Sequence, residues 1–181
     1  MKKLILGFIM IVILSTLLGC EQNTNQTDNS NKVIDFIEPE SSDWVNFMKP
    51  IREYMYYRTQ AALNNDMDIL WKKYPDLKSN IDRKQGINVE MYEVESLNKD
   101  FDLLDANNNI ESYERIKVKT INENEAIVLV HGSIVYLRND FDESGGEYLI
   151  KVFLEQKDKH WTVVKTDEYT QPEYKEWLNE K

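Results

Sequence analysis

Ala61-Ala62-Leu63-Asn64-Asn65-Asp66-Met67-Asp68-Ile69-Leu70-Trp71 ends one helix, turns on three polar residues and starts another. The Asn-Asn-Asp run breaks the first helix, because these side chains compete for backbone hydrogen bonds, and it caps the second. Upstream, Trp44, Phe47, Met48, Ile51, Tyr54, Met55, Arg58 and Ala62 recur at i, i+3, i+4, i+7, the pattern of an amphipathic helix. Ser42 and Asp43 are candidate N-caps, and Pro50 predicts either a kink or a helix that starts near it. Downstream, the second helix covers 67–74 and stops at Pro75, and a helical turn over 77–83 ends at Gly86.

Beyond Gly86 the apolar period becomes two. Residues 87–95 alternate as a half-buried strand does, with Glu90, Glu93 and Glu95 on its wet face. Residues 98–112 are polar and irregular, with Asn107-Asn108-Asn109 marking a loop. Further strands are expected over 113–121, 126–137, 148–154 and 161–166, and a short helix over 172–178. Helices first and strands afterwards predict an α+β fold, N-terminal helices packed on an antiparallel sheet.

Residues 61–71, followed by the closing strands that end in His160-Trp161-Thr162-Val163-Val164, resemble the nuclear transport factor 2-like superfamily over 44–167. The resemblance implies a curved sheet wrapped around the long helix, a cone with a cavity at its wide end. The superfamily holds enzymes, small-molecule binders and interaction modules, so fold alone does not assign function.

The first twenty residues carry an address. Met1-Lys2-Lys3 is a basic head, residues 4–14 are an uncharged apolar run, and Leu17-Leu18-Gly19-Cys20 closes it. This is the layout of an export signal. Leu17-Leu18-Gly19-Cys20 resembles the lipobox of bacterial lipoproteins, with Leu18 where that family more often has Ala, Ser or Thr. The resemblance implies lipidation of Cys20 (diacylglycerol and palmitate-type acyl chains) and cleavage before it. Residues 4–18 are short of the roughly 20 that span a bilayer, whereas two acyl chains give stable anchoring. The expected division is therefore 1–19 signal peptide, 20–32 lipidated cysteine and tether, and 33–181 a single α+β domain on the extracytoplasmic face of the cell membrane. Residues 21–32 contain no apolar side chain, and as a flexible tether would span about 20 Å.

The chain has 181 residues, 22 Lys+Arg and 32 Asp+Glu; removing Lys2 and Lys3 takes its net charge from −10 to −12. Such a domain is repelled by a phosphate backbone, so no nucleic-acid partner is expected. One cysteine excludes an internal disulfide framework and a cysteine-based zinc site.

Candidate chemistry is sparse. His131 shares a strand face with Ile127, Leu129, Ser133, Val135 and Leu137. Pointing into a cone it would act as a base or a polar anchor, and the hairpin register decides its direction. A satisfied or exposed histidine is the favoured reading. His160 reads as a turn residue. Asp66, Asp68, Asp100, Asp102, Asp105, Asp140 and Asp142 sit at turns and loop ends, where no desolvation would tune a base. Asp140-Phe141-Asp142-Glu143-Ser144-Gly145 begins like a calcium loop, but its twelfth position is Lys151 in place of a bidentate Glu. It reads as a hairpin loop, and neither metal nor cofactor is expected. Tyr54, Trp71, Tyr74, His131 and Tyr136 are candidates for lining the cavity, although the aromatics at helical spacing serve equally as core. No Ser-His-Asp set or glycine-rich phosphate loop is present.

Three functions follow: a membrane-tethered binding domain for a protein or envelope component, a small-molecule carrier using the cone, or an isomerase or cyclase with His131 as base. A polar, filled cone favours the first, an empty apolar one the second, and a buried His beside a carboxylate the third. The absence of a credible base favours binding without catalysis.

Overall fold

The computed structural model describes residues 36–110 and 116–179. The expected signal peptide, Cys20 and the expected tether lie outside these residues. Helix α1 (Ser41–Leu63) continues past Pro50, so the helix does not start there. Pro50 offers no N–H to the carbonyl four residues back, and that carbonyl belongs to exposed Asn46, where water can satisfy it. The N-cap is Glu40, two residues before Ser42 and three before Asp43; Asp43 instead lies in the first turn, where its charge suits the helix dipole. At the far end Asn65 takes a φ of 48° and the Asp66 carboxylate accepts the Asp68 N–H at 2.9 Å. The expected turn is therefore formed, and α2 (Asp68–Lys73) follows it.

A single 3₁₀ turn, Pro75–Lys78, takes the place of the helical turn expected over 77–83. Gly86 ends no helix. It sits at φ 74° where its carbonyl accepts the Glu168 N–H at 2.9 Å, and a Cβ there would lie 2.1 Å from the Glu168 carbonyl oxygen. Only glycine permits that approach.

Two further expectations are corrected. Residues 87–95 are not a strand: Ile87 bridges Asp82 and Asp167, and α3 (Glu90–Leu97) then begins. Residues 98–112 are not all loop: β1 (Leu103–Asn109) includes Asn107, Asn108 and Asn109 and pairs antiparallel with residues 133–138. Strands β2 (Ile116–Asn122), β3 (Glu125–Arg138), β4 (Glu143–Lys157) and β5 (His160–Glu168) lie where strands are expected, although β4 starts five residues early. The hairpin loop therefore shrinks to 139–142, where the Asp140 carboxylate accepts the Asp142 N–H at 3.1 Å and pairs with Arg138. Helix α4 (Gln171–Asn179) closes the described chain.

The order across the sheet is β1-β3-β4-β5, and β2 pairs with the first half of the long β3 while β1 pairs with its second half. The result is α+β, with helices packed against a curved antiparallel sheet. Alternation along β3 divides the sheet into two faces. Ala126, Val128, Val130, Ile134 and Tyr136 join Ile51, Tyr54, Met55 and Ala62 of α1 in the main core. Leu129, on the opposite face, packs with Leu149, Phe36 and Trp177 in a second, smaller core under α4.

Candidate functional site

Within the mainly apolar interior, a polar cluster lies where α1, α3 and the end of β5 meet. Arg58 lies on the apolar face of α1 and keeps only 3% of its side chain exposed. A guanidinium cannot lose its charge, so burial there requires acids. Its Nε donates to Glu93 Oε2 at 2.6 Å and its terminal nitrogen to Glu168 Oε2 at 2.9 Å. One acid comes from α3 and the other from the end of β5, so a single arginine ties three elements together.

A second layer adjoins it. Glu90 is 2% exposed, and its Oε1 accepts the Tyr54 hydroxyl at 2.8 Å and the Thr166 hydroxyl at 2.6 Å. Arg58 also donates to the Tyr54 oxygen at 3.4 Å, and the Tyr136 hydroxyl makes a long 3.5 Å contact to Glu93 Oε1. Asn88 clasps the lead into α3 onto β5: its side-chain oxygen accepts the Thr166 N–H at 2.9 Å, and its amide donates to the Ser79 carbonyl at 2.8 Å.

Electrostatics follow from this packing. Burial pushes the Glu93 carboxyl above its usual range, and Arg58 pulls it part of the way back. Burial is the main cause that raises the Tyr54 hydroxyl well above its ordinary value, and the Glu90 carboxylate adds to it. Tyr136 is raised for the same reason, with Glu93 as the adjacent charge. Burial opposes the charge on Arg58, yet Glu168 and then Glu93 outweigh it and hold the guanidinium protonated. Three carboxylates thus share one cation, and hydroxyl donors supply the remaining stabilisation.

Glu93 and Glu168 retain 22% and 27% exposure, so the cluster reaches solvent at its carboxylate side. Three surface grooves of about 330, 550 and 550 Å³ lie elsewhere, and none has Arg58, Glu90, Glu93 or Glu168 in its wall. Burial here favours a proton on Glu93 more than in a free glutamate, and Arg58 opposes it. The described grooves bring no substrate to it.

Of the residues singled out from sequence, Tyr54, Tyr74 and Tyr136 are buried core. Tyr54 and Tyr74 meet edge-on with ring centres 6.0 Å apart. Trp71 is only half-buried, packed on the core's edge under the Lys78 ammonium at 4.9 Å. His131 does not line the cone. Register places it opposite Leu149, on the α4 side of the sheet, where its Nε2 lies 2.9 Å from the Tyr174 hydroxyl and its ring 4.9 Å from Trp177. The Tyr174 hydroxyl donates onward to Glu147 at 2.5 Å. His160 is the exposed first residue of β5. Among the described residues no group of three His, Cys, Asp or Glu side chains is placed to hold a metal ion.

The expectation that Glu90 and Glu93 lie on a solvent-facing strand is overturned, since Glu90 is 2% and Glu93 22% exposed. Taken as a strand, residues 87–95 put both on a wet face; as a helix, Glu90, Glu93, Val94 and Leu97 share the face turned to the core. A signal for them was present: an arginine inside an apolar helical stripe demands buried partners.

No family model matches the chain, and no curated protein matches it significantly. Among solved structures it is similar to the association domain of C. elegans CaMKII, at 13% identity and a TM-score of 0.45, over 72% of this chain and 100% of that one. A nuclear transport factor 2-like protein of unknown function from Shewanella oneidensis matches at 13% identity and a TM-score of 0.36, over 65% of this chain and 93% of that one. Another from Shewanella baltica matches at 14% identity and a TM-score of 0.35, over 70% and 97%.

Proposed function

We propose that the protein is an extracytoplasmic lipoprotein, held to the cell membrane through lipid on Cys20, whose domain binds a protein or envelope component and does not catalyse. One observation carries the binding half of this reading. Arg58, Glu90, Glu93, Glu168, Tyr54 and Thr166 form one linked hydrogen-bonded network where α1, α3 and the end of β5 meet, and none of the described grooves has Arg58, Glu90, Glu93 or Glu168 in its wall. Catalysis needs a titratable group within reach of a reacting atom, whereas binding needs only shape and placed polar groups on a surface. An enzyme with His131 as base is the weaker reading: the ring does lie 3.8 Å from the Glu147 carboxylate, but its Nε2 is engaged by the Tyr174 hydroxyl and α4 covers it on the face opposite the main core.

The anchoring half rests on the basic head, apolar run and Leu17-Leu18-Gly19-Cys20. Among the described residues no helix is long and apolar enough to cross a membrane. Cys20→Ala is expected to abolish incorporation of labelled fatty acid and to leave the precursor uncleaved at this position. Undiminished labelling of that variant would remove the lipoprotein assignment.

A further inference from the structure

A groove of about 550 Å³ runs between the first half of α1, the end of α2 and the start of β5. Its wall carries Lys49, Lys73, Lys159 and His160 against one carboxylate, Glu53. That balance is opposite to the chain as a whole, where 32 acids face 22 lysines and arginines. Lys73 is answered internally, its Nζ 2.7 Å from Glu53 Oε1. Lys49 and Lys159 are exposed, and among the described residues neither joins an ion pair. Asp158, beside Lys159 in the β4–β5 turn, is not part of the wall. Two lysine charges therefore face one concave space, and concavity concentrates their field.

The rest of the wall narrows the ligand class. Trp161 is half-buried and fixed against Phe47 with ring centres 5.6 Å apart, so it offers a rigid flat surface. Asn46 and Thr162 add neutral hydrogen-bonding groups. No arginine fork is present to pair with a planar carboxylate, whereas an ammonium is a compact point charge suited to phosphate oxygens. The volume lies within the roughly 300–1,000 Å³ of small-molecule sites and exceeds a lone phosphate. A sugar ring presents a flat C–H face to an indole and hydroxyls to Asn46 and Thr162. We propose that this groove binds a small phosphate-bearing carbohydrate or polyol, its phosphate on Lys49 and Lys159 and its ring on Trp161. The site is separate from the interior network and stands whether or not Cys20 is lipidated.

Calorimetric titration of the full chain with glucose 1-phosphate, with glucose and inorganic phosphate alongside, tests it at about 50 and 200 mM salt. Glucose 1-phosphate is expected to bind saturably, more tightly than either fragment, and several-fold more weakly at the higher salt. Lys49→Glu combined with Lys159→Glu should weaken it at least tenfold, while Lys99→Glu, an exposed lysine after α3, leaves it unchanged. Absence of saturable binding, equal affinity for glucose, or an unaffected double variant would overturn the proposal. So would binding confined to phosphatidylglycerol vesicles, which would assign these lysines to a bilayer surface.

Discussion

Arg58→Met is expected to destabilise the domain by about 3 kcal/mol at neutral pH, the lower end of the range for breaking a buried ion pair. Methionine fills much of the same space, so the loss isolates charge from packing. Glu93 and Glu168 lose their shared cation, and Glu90 remains beside them without it. The lower end applies because Glu93 and Glu168 keep 22% and 27% exposure and some hydration. The sign of the pH dependence follows from Glu93. Its carboxyl is raised in the folded state, so the fold holds that proton more tightly than the unfolded chain does. Its contribution to stability therefore falls as pH rises from the ordinary glutamate range through the raised value. Removing Arg58 takes away the group that pulls Glu93 back, which raises the carboxyl further and extends this fall to higher pH. Urea denaturation between about pH 4 and pH 7 should show the variant's deficit growing with pH. A deficit below about 1 kcal/mol that is flat across this range would mean that the arginine does not hold the interior together.

Tyr54→Ala is expected to cost about 3–5 kcal/mol, the magnitude for deleting a buried aromatic ring. The side chain is fully buried in α1, edge-on to Tyr74, and its hydroxyl donates to Glu90. Tyr54→Phe separates the two contributions. It keeps the ring and leaves Glu90 with Thr166 as its donor, at a cost of about 1–3 kcal/mol. Equal losses for Phe and Ala would place the whole effect on the hydroxyl. The half-buried Trp71 is the less costly site, in contrast to what its size and helical spacing suggest from sequence.

What sequence made legible was whatever its own periodicity determined. The α1 stripe, the Asn-Asn-Asp turn, the apolar β3 and the closing strands each carry a pattern that survives without neighbours. Leu103–Asn109 does not: three successive asparagines have low strand propensity, and the backbone extends because β3 offers its free edge opposite Ser133 to Arg138. Residues 87–95 fit both periods, since Ile87, Val89 and Met91 alternate while Glu90, Val94 and Leu97 fall four and then three apart. The contact of Asn88 with Thr166, 78 positions away, helps set where extended chain becomes helix. The same ambiguity hid the polar cluster. Arg58 was visible on the apolar face of its helix, but its partners lay on a segment whose face depended on the period chosen. For His131 the strand was legible and the side was not, because direction follows from pairing with Leu149 and from the Trp177 cover.

The central claim is that this domain binds and does not catalyse. The full chain and its Glu93→Gln and His131→Ala variants can be incubated with fractionated cell-envelope extract, with product formation and melting temperature followed separately. The account predicts a fraction that raises the melting temperature saturably with no product, an effect that both variants retain. Saturable product formation by the native chain, lost on Glu93→Gln or His131→Ala, would contradict it.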